Sequence, residues 1–387
     1  MLVVLLAAGG AYYLASRQSA PTATASPSSR RSGRSSAGKK AAGGSNPPIT
    51  GNGSRGSFAV VAMTPRNGAA GVSGSSALSI TFSEPVAKGS SMPTISPSVP
   101  GSWQVEGGRK LVFKPSTPFV PMSQVTVSIP AGRSGLVDTS GQELKSRAVD
   151  NFTVENGSVL RLQQLLSLLD YSPLSWRPTG QPIAPSDTAA QLQAMYSPPQ
   201  GTFAWRNTGW PSQLLALWQQ GSYNVFTRGL VMEFQADHGL DVTGKVTGAL
   251  WAAILNALAA GEHNTGGYNY AIGDKVPPQT LTIWHDGQMV FKSPANTGIP
   301  QSPTPSGNFN VYARYRHEIM RGKNPDGSSY ADPVQYVAYF HDGDAVHYFP
   351  RADYGVPQSL GCIELPLAAA AKAWGYLAYG TIVTVLN

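Results

Sequence analysis

Residues 280–292 read TLTIWHDGQMVFK: apolar and polar positions alternate on both sides of Asp286-Gly287. A two-residue turn of type I′ needs positive φ at both central positions, which Asp and Gly tolerate, so this stretch predicts a β-hairpin. Residues 336–349, YVAYFHDGDAVHYF, have the same form around Asp342-Gly343. Further on, the chain runs through Pro357, Gly361 and Cys362 to Pro366, where a missing N–H costs nothing in the first turn of a helix. The helical run LAAAAKAWGYLAY and a last strand, Ile382 to Leu386, follow. Residues 265–387 are thus expected to form a mostly antiparallel β domain with one appended helix.

Toward the N-terminus the period changes. Over 156–264, Val159, Leu162, Leu165, Leu166 and Leu169 fit one helical face. Leu230 and Phe234 suggest a second helix closed by Gly239, and Thr247 caps a third carrying Leu250, Trp251, Ile254 and Leu255. The segments VLRLQQLLSLLDY and FTRGLVMEFQADHGLDVTGKVTGALWAAI resemble the small three-helix peptidoglycan-binding domain. A Pro- and Trp-containing stretch, about 171–222, departs from that pattern. It holds Trp176, Trp205, Trp210 and Trp218, half of the eight tryptophans, expected as buried core aromatics rather than sugar platforms. Over 58–155 the period is two, in short runs between Pro/Gly turns, which predicts a β-sandwich. Its ITFSEPV and VTVSIPAG resemble bacterial immunoglobulin-like modules, implying a spacer or protein-binding role.

The whole is therefore multidomain, as 387 residues with 41% hydrophobic content allow: a single small domain is excluded. Residues 17–57 are Ser, Pro, Gly and Ala with scattered cations and read as a disordered, wall-spanning linker. Leu2 to Ala15 is an uncharged apolar run, too short for the ~20 residues of a membrane span and long enough for an export signal. Residues 1–16 are therefore expected to be a signal segment or a membrane anchor, and with no cysteine nearby a lipoprotein anchor is excluded.

The net charge of +7 carries no nucleic-acid reading. Eight of the 28 basic residues precede the first acidic residue, Glu84, so the excess sits in the tail rather than on a folded face. Such a tail suits an anionic lipid or wall-polymer surface.

An exported chain with one cysteine cannot form an internal disulfide, so Cys362 is a free thiol. A thiol reacts as thiolate and needs a nearby base and a loop that exposes it. His347 lies fifteen positions earlier, and Gly361 permits backbone shapes closed to other residues, so that the N–H groups of Gly361 and Cys362 could face one oxyanion. His341 is a rival base. His341, Asp342, Asp344 and His347 straddle a turn and form no recognised ligand spacing, so no metal site is expected.

Residues 268–387 resemble the YkuD-type L,D-transpeptidases. The likeness rests on TPSGNF (304–309), YRHEIM (315–320), PDG with Tyr330, His347, and Ser359-Leu-Gly-Cys-Ile363. It implies Cys362 as the nucleophile and His347 as the acid and base, with Ser359 and Gly361 shaping the Cys loop. It further implies Met320 and Tyr330 as lid residues over the donor site, no cofactor, and peptidoglycan stem peptides and glycan as partners. Two positions depart from the family pattern. Leu360 stands where many members have a second His, and Glu364 where Arg or Asn is usual. A carboxylate pointing inward beside the thiol would raise its pKa and change how substrate carboxylates are held.

Overall fold

The computed structural model describes residues 56–387; the export segment and nearly all of the expected linker lie outside the described residues. Eight strands come first: β1 (Val60–Thr64), β2 (Ala69–Val72), β3 (Leu78–Phe82), β4 (Thr94–Ser96), β5 (Gly101–Glu106), β6 (Lys110–Pro115), β7 (Gln124–Ile129) and β8 (Ala148–Val154). They form two four-stranded sheets, ordered β1-β3-β6-β5 and β2-β8-β7-β4. In β3 the residues Leu78, Ile80 and Phe82 point inward, as do Val125, Val127 and Ile129 of β7. They meet Phe113 and Phe152 in one sandwich core, where each large side chain contributes roughly 1.5–3 kcal/mol.

The helical region contains α1 (Val159–Leu168), β9 (Leu174–Pro178), α2 (Thr188–Tyr196), β10 (Gly201–Trp205), α3 (Ser212–Leu215), α4 (Val225–Asp237) and α5 (Gly248–Ala260). Side chains cap the three long helices: Ser158, Asn224 and Thr247 each accept from first-turn N–H groups. The 171–222 stretch is structured, as an antiparallel β9–β10 hairpin and two short helices. Trp176 and Trp210 are buried, and Trp205 and Trp218 pack on the same core, because the added elements need their own apolar filling. The three-helix bundle is therefore enlarged into a five-helix unit with a hairpin.

The C-terminal part contains β11 (Asn269–Asp274), β12 (Thr280–His285), β13 (Gln288–Pro294), β14 (Gly307–Asn310), β15 (Ala313–Lys323), β16 (Ser329–His341), β17 (Asp344–Tyr348), β18 (Ile363–Leu365), α6 (Leu367–Tyr376) and β19 (Ile382–Leu386). One sheet is ordered β13-β12-β11-β19-β14 and the other β15-β16-β17-β18. Only the β11–β19 and β17–β18 pairs are parallel in these two sheets. Both sheets and α6 contribute to a single core that includes Leu281, Phe340, Val346, Ile363, Ala373 and Val383. Asp286 and Gly287 both sit at positive φ, as a type I′ turn requires, whereas in the second hairpin only Asp342 does.

The helical core continues into this part through Tyr268, Tyr270, Ile272 and Ile382. At the same seam Asn310 Nδ2 donates to the carbonyls of Val225 and Gly380, both at 3.0 Å. A Cβ on Gly229 would meet the Gly380 carbonyl oxygen at 2.5 Å, so the approach of α4 to this loop requires glycine.

Candidate active site

β17 and β18 run parallel with Val346 opposite Ile363 and His347 opposite Glu364. Side chains alternate along each strand, so Val346, Ile363 and Leu365 enter the main core while Ala345, His347, Cys362 and Glu364 share the other face. Cys362 and His347 are thereby placed two register positions apart on neighbouring strands.

Cys362 is 8% exposed and sits in a small cluster with Met320, Val334, Val337 and Ala345. Tyr330, Tyr339 and Phe349 pack around it. Its sulfur accepts the Ala345 N–H, and its S–H donates to Met320 Sδ at 3.8 Å. Burial pushes the thiol pKa up to about 12, the Ala345 N–H opposes the rise, and Asp344 and Glu364 add to it. His347 is buried, and desolvation lowers its pKa below the ordinary histidine value. Its Nδ1 lies 2.9 Å from the Tyr348 carbonyl, which accepts only from a protonated nitrogen, so Nε2 is the basic one. Burial thus disfavours the charged form of both groups.

The Cys loop is held by its own hydroxyls and by the 296–304 segment. Ser359 Oγ donates to the Cys362 carbonyl at 2.6 Å, and Ser302 Oγ to that of Leu360 at 2.9 Å. Ser359 N–H donates to the Thr297 carbonyl, and the Glu364 and Asn296 backbones exchange hydrogen bonds. Leu360 contributes its carbonyl to this framework, and its side chain is half-buried. Gly361 adopts φ 120°, and a Cβ there would run into the Asp344 carboxylate. One expectation needs correcting: the Gly361 N–H donates to Ser359 Oγ at 3.3 Å rather than facing an open oxyanion position, because the tight loop turns it inward.

Glu364 is 4% exposed and does not stand alone. Both its carboxylate oxygens accept from Arg351, at 2.8 Å from Nε and 2.8 Å from one terminal nitrogen, which also donates to the Gln358 carbonyl. The guanidinium lies 4.7 Å over the Phe349 ring. This fork joins the segment after His347 to the strand after Cys362. Sequence reasoning missed Arg351, although it is the one cation between His347 and Cys362 and a strand-borne Glu signals a need for one. It also missed Asn296, whose amide oxygen accepts from Gly355 N–H at 2.9 Å and whose Nδ2 donates to the Asp353 carbonyl.

His341 Nδ1 is 3.5 Å from the Asp344 carboxylate, and its ring packs edge-to-face with Phe309. Among the described residues no group of His, Cys, Asp and Glu is arranged to hold a metal.

Residues 269–385 match the family model of the L,D-transpeptidase catalytic domain. This region is a YkuD-type L,D-transpeptidase domain. Residues 55–154 match the bacterial Ig-like domain, and residues 217–254 a peptidoglycan binding domain. Solved structures similar to the chain include an L,D-transpeptidase from Mycobacterium smegmatis, 14% identical over 86% of this chain and 100% of that one, with TM-score 0.29. L,D-transpeptidase 3 from Mycobacterium tuberculosis is 14% identical over 85% of this chain and 99% of its own, with TM-score 0.29. The catalytic domain of the E. faecium L,D-transpeptidase acylated by ertapenem is 27% identical over 31% of this chain and 98% of its own, again with TM-score 0.29. No curated protein matches the sequence significantly. The transpeptidase domain thus follows a peptidoglycan-binding module in one chain, with peptidoglycan as the implied partner. Among the described residues no helix is long and apolar enough to cross a membrane.

Proposed function

We propose that the protein is an extracytoplasmic peptidoglycan L,D-transpeptidase acting through a thioester on Cys362. The observation that carries this reading is the shared face of β17 and β18, which holds the lone thiol and a histidine whose Nε2 is free to act as base. His347 Nε2 takes the thiol proton as Sγ attacks the carbonyl of the third residue of a tetrapeptide stem. The tetrahedral intermediate collapses, the C–N bond breaks, and His347 returns the proton to the departing D-Ala amine. The side-chain amine of a neighbouring stem then attacks the thioester. His347 accepts its proton, the C–S bond breaks, and the thiolate is reprotonated.

Because the thiol is turned toward Met320, this reading has Sγ rotate away from that sulfur before it attacks. Ser359 and Gly361 shape the loop, Met320 and Tyr330 cover the donor site, and the Arg351–Glu364 fork positions the two reacting strands. The helical module would retain the glycan and the Ig-like module set the reach from the membrane or linker.

The deciding experiment incubates the protein with a disaccharide-tetrapeptide and follows products by mass spectrometry. A cross-linked dimer lacking one D-Ala, absent with Cys362→Ala and His347→Ala, is expected. Tripeptide without dimer would make the protein an L,D-carboxypeptidase with the same site. No turnover and no covalent carbapenem adduct on Cys362 would leave a wall-binding protein without catalysis.

A further inference from the structure

The β15–β16 hairpin beside the thiol sorts its charges by face. Met320, whose sulfur lies 3.8 Å from Cys362 Sγ, pairs directly with Asp332 across the two strands. Residues opposite each other in an antiparallel pair share a face, with Cβ atoms about 4.5–5.5 Å apart. The flanking pairs agree: Glu318 opposes Val334 of the thiol cluster, and Gly322 opposes Tyr330, whose ring a Cβ on that glycine would meet. Asp332 therefore stands on the thiol-facing side between Tyr330 and Val334, and its charge acts on both Tyr330 and His347.

The cations of this hairpin are elsewhere. Arg314 and Arg316 stack over Trp374, their guanidinium carbons 4.1 and 5.3 Å from its ring centre. Arg321 and Lys323 alternate onto the outer face, where both are exposed, and Lys323 donates to Ser329 Oγ. From β17 and β18, Asp344 and Glu364 add further negative charge at the thiol. Arg351, on which the Asp332 charge also acts, has its fork committed to Glu364 and to the Gln358 carbonyl. Glu318 is committed as well, since the Tyr339 hydroxyl donates to it and its Oε2 is enclosed. Asp332 differs from all of these. Its side chain makes no hydrogen bond and no ion pair among the described residues, it is only half-buried, and neither of its oxygens is sealed from solvent.

An unengaged carboxylate beside a nucleophilic thiol fits a cationic group of the substrate. The proposed chemistry brings one, because the diamino residue of each stem carries a side-chain ammonium, a compact charge with three donors on a flexible arm. A side-chain end that also carries a free carboxylate would bring a second negative charge toward Asp332, Glu318 and Asp344, and like charges at this range repel.

We infer that Asp332 is a specificity-determining residue of this site, receiving the side-chain ammonium of the stem's diamino residue and disfavouring a side-chain end that also bears a free carboxylate. Resting on the transpeptidase reading, this role admits two sources of the ammonium: the donor stem held on Cys362 and the acceptor stem that attacks it.

The test uses the full chain and measures kcat/KM for D-Ala release from stem tetrapeptides. Their third residue is lysine, meso-diaminopimelic acid, or the latter with its side-chain carboxylate amidated. The wild-type chain is expected to favour the lysine and amidated stems at least tenfold over the free diacid. Asp332→Asn should narrow that ratio to less than threefold, Asp332→Glu should keep it, and Asp332→Lys should reverse it. Because a ratio is read within each variant, a general loss of activity cancels. For the acceptor, the same third residues are offered as tripeptides, which have no D-Ala to release, to a fixed donor tetrapeptide carrying Nε-acetyl-lysine, and cross-linked product is followed by mass spectrometry. A ratio that responds in the first assay alone assigns the ammonium to the donor, in the second alone to the acceptor, and in both to each in turn. Equal turnover of all stems in both assays, or a preference that Asp332→Asn and Asp332→Lys leave unchanged, overturns the inference with the enzyme reading intact. No release from any stem and no carbapenem adduct on Cys362 would overturn the two together.

Discussion

Two arginines in this chain lie in different electrostatic settings. Arg351 in the catalytic domain is 27% exposed and meets Glu364 through two charge-assisted hydrogen bonds, while Arg161 in the helical module is almost fully enclosed and meets only amide oxygens. A cation matched inside its own fold serves structure: Arg351 ties the strand that follows Cys362 to the segment that follows His347. An enclosed one that meets only amide oxygens is held by neutral dipoles, which satisfy its hydrogen bonds in part and leave its charge without a counter-charge.

The largest effect should come from breaking the matched pair from its exposed side. Arg351→Met leaves the Glu364 carboxylate buried and alone beside the thiol, which should cost about 3–5 kcal/mol in denaturant unfolding. Carbapenem acylation of Cys362 should also slow at least ~10-fold, since 1.4 kcal/mol in a barrier is a factor of ten. Replacing both partners by apolar residues, Arg351→Met with Glu364→Leu, should recover most of the stability but not the rate. A double variant as unstable as the single one would show that the pair acts through something other than charge.

Gly361→Ala should be next. Its φ of 120° and the Asp344 carboxylate in the path of a Cβ predict loss of nearly all acylation, with a stability cost of about 1–3 kcal/mol for the strained backbone. Unchanged acylation would remove the loop shape from the mechanism. Arg161→Met should cost less than Arg351→Met, about 1–3 kcal/mol, because it strands the Gln164 and Gln191 oxygens but no charge. A larger cost than that of Arg351→Met would reverse the contrast between the two sites.

The smallest effects are in pH dependence. A base works only when neutral, and burial depresses the His347 pKa, so activity should persist as pH falls and be lost only below the ordinary histidine value of about 6.5. The thiol, pushed up to about 12, should react with iodoacetamide more slowly than a free cysteine at pH 7, with the rate still rising past pH 9. Fast alkylation at neutral pH would mean that a thiolate–imidazolium pair already exists at rest.

Much of the architecture was legible because it depends on local pattern. Period-two runs around Asp-Gly turns marked the hairpins, and Thr247 marked a helix start. The structure of the 171–222 stretch was not legible, since prolines and glycines that usually signal loops here border a hairpin whose stability comes from tryptophans packing on a distant core. Arg351 was missed for a related reason: it lies thirteen positions before Glu364, and nothing in that interval shows that the chain folds back on itself.

Sequence alone determined the kinds of element and the single thiol, because these follow from short-range periodicity and from composition. Tertiary structure decided which side chains share a face and which charges find a partner. Those outcomes depend on strand register and on burial, which raises the cost of an unmatched charge and which only the complete packing of the chain defines.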